Sequence, residues 1–192
     1  NATTLQFLTG ASEAASAKMS LTSGGDVNVL TDGASIFFGA SSEIELRHVA
    51  DDGLILKHVG TGDGKEPSFT FQAGDNDIAQ DDLLGSIQFQ APDEGAGTDA
   101  ILVAASIKAF AEGDFSASNN ATTLEFATGR SAAAGSDGGR LRLTSNGTLF
   151  LKSQNTADDS KPVIHLQAGD TDIAQDDELG AISFSAPDEG AG

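Results

Sequence analysis

A chain of 192 residues with 29 Asp and Glu against 10 Lys and Arg carries a net charge of −19, which removes any electrostatic reason to bind nucleic acid or an anionic membrane. The absence of Cys excludes disulfides and thiolate chemistry, and no apolar run approaches the roughly 18 residues that span a bilayer, so no membrane insertion is expected. Leu, Ile, Val and Phe total 44 of the 192 residues, just above the roughly 20% below which chains tend to stay disordered, so other chains are expected to complete the core.

The opening residues read as short strands. TTLQFLT, Thr3 to Thr9, and KMSLTSGG, Lys18 to Gly25, alternate with period two and end in Gly- and Ser-rich turns. Ala11 to Lys18 between them fits either one helical turn or a loop. Residues 34–59 form a different module. Ile36 and Phe38, Ile44 and Leu46, and Leu54 and Leu56 are each spaced by two, which predicts a three-strand meander. The Asp51-Asp52-Gly53 turn suits positive φ. GTGDGKE, residues 60–66, is a linker by composition.

A larger pattern starts at Pro67. QAGDNDIAQDDLLGSIQFQAPDEGAG, Gln72 to Gly97, returns as QAGDTDIAQDDELGAISFSAPDEGAG, Gln167 to Gly192, 95 residues later and identical at 21 of 26 positions. Each copy reads as a strand, an acidic loop, a strand built on Gly-x-Ile-x-Phe and a Pro-terminated turn. Leu84, Ile87 and Phe89 face one way in the first copy, Ser86, Gln88 and Gln90 the other. Residues 99–112 are ambiguous between helix and strand, with strand favoured for the second half. TTLEFAT, RLRLTSNG and TLFLK are further strands. NATTLEFATG at Asn120 repeats NATTLQFLTG at Asn1 with an offset of 119, and LTSNG at Leu143 repeats LTSGG at Leu21 with an offset of 122. A fixed repeat of this size implies stacked units, each contacting its neighbours.

The expected fold is therefore all-β, built from units of about 95 residues. Residues 1–33 are the C-terminal part of one unit and 34–66 the inserted meander and linker. Residues 67–161 form a complete unit, and 162–192 the start of the next. The sequence opens without Met and stops inside a repeat, so a fragment of a longer protein is expected.

IFFGASSEIELRHVADDGLIL, Ile36 to Leu56, resembles the FG-x-x-x-x-(I/V)-x-L-x-HVAD-x-GL-x-L element of tail-fibre proteins of marine and cyanobacterial tailed phages. The order LGSIQFQAPDEGAG, AASIKAFAEG, NATTLEFATG, GGRLRLTSNGTLFL is similar to a module of the same proteins, and together the two elements cover nearly the whole chain. The resemblance implies an elongated homotrimeric fibre in a virion, outside the cell. It also implies attachment to other tail proteins and host recognition at a far end beyond these residues. Physically, a three-fold axis would let three thin apolar stripes form one core, and neighbouring chains would pair exposed strand edges. A repeat region of a bacterial surface adhesin, stiffened by Ca²⁺, is the alternative.

Chemistry-bearing residues are few. Asp75, Asp77, Asp81 and Asp82 recur as Asp170, Asp172, Asp176 and Asp177, followed by Glu178. Carboxylates at this spacing could gather Ca²⁺, but the Gly and distal Glu of an EF-hand loop are missing, so a solvated turn is expected and no metal site is assigned. His48, His58 and His165 lack the H-x-H pairing or Cys companions of a metal site. Three Asn-x-Thr sequons, at Asn1, Asn120 and Asn146, sit where turns favour Asn. Asp93 with Glu94, and Asp188 with Glu189, are carboxylate pairs of the kind glycosidases use, but adjacent turn residues point apart. No Tyr or Trp is present to stack a sugar. No enzyme, catalytic residue or cofactor is expected, and the segment reads as spacer rather than recognition tip.

Overall fold

The computed structural model describes residues 2–10, 14–91, 101–136, 138–158, 160–169, 171–177 and 179–184. Among them there are eleven strands and no helix. The strands are β1 (Leu5–Thr9), β2 (Ser16–Leu21), β3 (Val27–Val29), β4 (Ser35–Phe38), β5 (Ile44–Val49), β6 (Gly53–His58), β7 (Leu83–Gln90), β8 (Val103–Ala111), β9 (Thr122–Thr128), β10 (Gly139–Leu143) and β11 (Leu149–Ser153). They form three open antiparallel sheets, ordered β1-β2-β3, β4-β5-β6 and β11-β10-β9-β8-β7. The chain divides into two compact units, Asn1–Thr70 with the two three-stranded sheets and Phe71–Gly192 with the five-stranded one.

Within the first unit the meander forms as its alternation predicts. β4 and β6 flank β5, with Ile36 opposite Leu46 and Leu46 opposite Leu56. Its β5–β6 turn puts Asp51 at φ 60°, a left-handed conformation that Asp tolerates better than most side chains. The β1–β2 pair carries a bulge between Phe7 and Leu8, and β2 starts at Ser16, two residues before the expected Lys18.

In the second unit β8 is the hub. It pairs with β7 on one side and β9 on the other. Its Ala-rich start, ambiguous in the sequence, becomes strand because ladders on both flanks outweigh the helical preference of Ala. The uneven spacing of Leu84, Ile87 and Phe89 also has a cause. A register shift between Leu83 and Gly85 leaves Leu84 in a bulge, so Gly85, Ile87 and Phe89 share a face instead.

Two expected strands do not form. The strand expected at the start of the first copy, from Gln72, does not form, and residues 67–75 have no ladder. Phe71 instead lies over Gly85, where an added Cβ would come within 2.7 Å of the Phe71 Cβ. Residues 179–184 match 84–89 closely, yet they too are unpaired. β7 exists because β8 pairs with it, and no described segment does the same for residues 179–184.

Two sheet regions share a register. Leu5 faces Leu21 and Leu21 faces Val27 in the first unit. Leu124 faces Leu143 and Leu143 faces Leu149 in the second.

Candidate functional site

The chain exposes 15007 Å². A compact protein of 19.4 kDa exposes about 8,500 Å², and two separate compact domains of half that mass about 10,000 Å². Many large apolar side chains are among the exposed residues. Among the described residues the buried hydrophobic positions are Ala111, Ala127 and Ala134, and no large side chain is fully buried.

Cross-strand registry shows where the uncovered surface lies, because directly opposed residues project from the same face. One face of the five-stranded sheet carries the row Leu151, Leu141, Phe126, Ile107 and Ile87, running through all five strands. A second row, Leu149, Leu143, Leu124, Ala109 and Gly85, lies beside it. Phe89 and Ala105 extend the same face. None of these positions carries a charge. Phe126, on the middle strand, is 44% exposed. Small residues leave grooves between the large ones. A depression of about 410 Å³ lies among Phe89, Ala105, Phe126, Gly139 and Leu151, and another of about 220 Å³ lies among Phe71, Gly85, Ile87 and Leu124. The β1-β2-β3 sheet repeats the arrangement, with Leu5, Phe7, Met19, Leu21, Val27 and Val29 exposed on one face.

The opposite face of the five-stranded sheet is polar. Glu125, 2% exposed, stands between Arg142 and Lys108 across its two ladders. It accepts a hydrogen bond from Arg142 Nε at 2.6 Å, and Arg140 Nε lies 3.8 Å from the same oxygen. The Arg140 guanidinium also donates to the Gly135 carbonyl. The meander has a counterpart in Glu45, buried and receiving the Ser35 hydroxyl at 2.6 Å. These carboxylates are held by structural partners; depressions of about 290 and 420 Å³ also lie here, the first lined by Asp81, Glu112, Thr123 and Arg142, the second by Thr123, Arg140, Arg142 and Lys152.

Glu112, just past β8, gathers Ser145 Oγ at 2.5 Å, Ser145 N at 2.9 Å and Thr123 Oγ1 at 2.7 Å. The Ser145 hydroxyl, then the Ser145 amide, then Thr123 hold its carboxyl below the usual range. A carboxylate with a lowered folded-state pKa stabilises above its unfolded pKa, and the effect fades as pH falls through the folded value. Acid titration followed by circular dichroism is therefore expected to show a loss beginning in the range of ordinary carboxylates. Ser145→Ala should make that loss smaller.

The acidic loop is built by its own side chains. Asp75 Oδ1 accepts from the Asp77 amide at 2.9 Å, and Asp82 Oδ2 from the Ala79 amide at 2.8 Å. Asp81 sits at φ 69°, its amide donates to the Ala111 carbonyl, and Asp82 O accepts from the Ala111 amide. The loop thus extends the end of the β7–β8 ladder. In the second copy Asp176 has φ 77° and Asp177 Oδ2 accepts from the Ala174 amide at 2.6 Å. Asp82→Ala is expected to cost about 1 kcal/mol in urea unfolding, through the orphaned Ala79 amide. Asp170 and Glu178 lie outside the described residues.

The other candidates do not converge. His48 Nδ1 is 3.8 Å from Asp32, His58 Nδ1 accepts from the Gly60 amide at 3.0 Å, and His165 is exposed. Among the described residues no three His, Asp or Glu side chains gather around a common point that could hold a metal. Asn146 Oδ1 accepts from Thr148 N at 3.1 Å and Thr148 Oγ1 at 2.8 Å, so this sequon also closes its own turn. Asp93, Glu94, Asp188, Glu189 and Asn1 lie outside the described residues. No described helix is long and apolar enough to cross a membrane.

Sequence alternation announced two-faced strands but not which face would stay uncovered. That information resides in the register between strands.

No family model matches the chain, and neither the curated proteins nor the solved structures contain a match.

Proposed function

We propose that the chain is a structural, non-enzymatic segment of a homotrimeric fibre, the shaft of a phage tail fibre or a similar virion appendage that supports host attachment. One observation carries this proposal: the uncharged apolar face of the five-stranded sheet, with exposed large side chains on β7, β9, β10 and β11. The large apolar side chains on it contribute about 600 Å², taking roughly 150–200 Å² for each at the exposures found. That is at the upper end of the patches found on monomers and approaches the roughly 800 Å² per partner of a stable interface.

Self-assembly explains several features at once. Like faces of several copies can bury one another around an axis, which supplies the core that one copy lacks. The shared registers of β1-β2-β3 and β9-β10-β11 favour repeating units that stack along that axis. The trimer and the virion setting come from the resemblance of the sequence motifs. In this account other tail proteins hold the fibre, and host contact lies in a region outside these residues.

Imaging of the full-length assembly tests the class. A thin rod joined to a tail or capsid is expected. A filament anchored in a cell envelope would replace the virion setting with the adhesin one.

A further inference from the structure

We propose that the five-stranded sheet closes edge to edge with further copies of the same chain, β7 of one copy pairing with β11 of the next. The apolar faces then line the inside of a continuous wall. This rests on the self-assembly proposed above and adds the contact through which it occurs.

Among the described residues both outer strands are open: β7 has a ladder only to β8, and β11 only to β10. Exposed edges are ordinarily blunted by charge, proline or extreme shortness. β7 is eight residues long, LLGSIQFQ, with neither Pro nor charge. β11 has one Lys, and Lys152 shares a cross-strand row with Arg140 on the polar side, away from the apolar face.

The distribution of exposure points the same way. An interface that packs face to face keeps its apolar side chains central and surrounds them with a polar rim. Here the apolar rows run out to both lateral edges. Phe89 on β7 is 55% exposed and Leu149 on β11 is 63% exposed, both more than Phe126 in the middle. A neighbour that continues the sheet sideways covers such residues; a partner seated only on the centre does not.

The occupant is another copy because the chain carries two different open edges on one sheet. A β7-to-β11 contact is heterologous, and it closes into a ring if the rotation allows. Five antiparallel strands make β7 and β11 run the same way. Rotation about an axis along the strands keeps them parallel, so the junction is a parallel ladder between otherwise antiparallel sheets.

The Cys-free sequence makes the test clean. Gln88 and Lys152 lie at opposite ends of one cross-strand row, through Ser106, Ala127 and Arg140. The double variant Gln88→Cys with Lys152→Cys brings two thiols to the junction. Ser86→Cys and Gln90→Cys, each with Lys152→Cys, cover a slip of two residues either way. After mild oxidation, at least one pair is expected to give dimer and trimer bands on a non-reducing gel, while Gln88→Cys alone gives monomer. Dimers from Gln88→Cys alone would mean that β7 pairs with β7, and would overturn the proposal. A trimeric native mass with no cross-link from any of the three pairs would overturn the edge contact and leave the fibre proposal standing. A monomeric native mass would overturn both.

Discussion

Phe126→Asp is expected to leave the chain monomeric at concentrations where the unaltered chain assembles. Phe126 stands on the middle strand of the five-stranded sheet, in the row joining Leu141 to Ile107. An Asp there puts one carboxylate per copy into the shared core. Burying an unpaired ion costs several kcal/mol even after relaxation, and symmetry repeats the cost in every copy. At 1.4 kcal/mol per factor of ten, assembly should weaken by at least about a thousand-fold. Ala117→Asp, in the exposed turn between Ser116 and Asn119 and outside the apolar face and both outer strands, should leave the mass unchanged. Equal disruption by both variants would mean that the apolar face is not the contact.

Glu125→Ala is expected to destabilise the second unit more than the removal of any exposed charge. The carboxylate is almost completely buried, whereas Arg142 is about half exposed. Breaking a fully buried pair costs about 3–5 kcal/mol. Arg142 can partly regain water, which reduces the expected loss to about 2–3 kcal/mol, or about 1 M in urea midpoint. The Arg140 guanidinium would keep its bond to the Gly135 carbonyl. Replacing Glu125 and Arg142 together by Leu should recover most of the loss, because an apolar pair leaves no uncompensated charge. If the double replacement is as unstable as Glu125→Ala, the ion pair is not the source of the effect.

The two copies of the acidic segment separate what sequence encodes locally from what it does not. Asp81 and Asp176 both take left-handed φ, and Asp82 and Asp177 both cap an Ala amide. Leu166 lies against Gly180 much as Phe71 lies against Gly85. The left-handed Asp and the capped Ala amide need only a few neighbouring residues, so the sequence suffices for them, whereas the contact on the Gly reaches back across the loop. The strand that follows is different. Leu84 to Phe89 and Leu179 to Phe184 share their Leu, Gly, Ile and Phe positions, yet only the first is a strand. A ladder needs a partner, and the partner is β8, more than ten residues further along.

The same division explains the remaining differences. The meander of β4, β5 and β6 was legible because its turns are short and its alternation regular. The 67–75 segment alternates equally well but finds no ladder. Ile36, Phe126 and Leu143 were recognisable as core-type residues, yet each remains 44–46% exposed. The polar face was less legible still. Glu125 and Arg142 lie 17 residues apart in the sequence, and only the β9–β10 register brings them together.

In the proposed assembly, copies of this chain supply one another with a core. Native mass spectrometry of the 192-residue chain, repeated over a range of concentrations, tests it most directly. A trimeric mass is expected, with a melting temperature that rises as concentration rises, because association stabilises only the folded state. A folded monomer whose melting temperature is independent of concentration would contradict it.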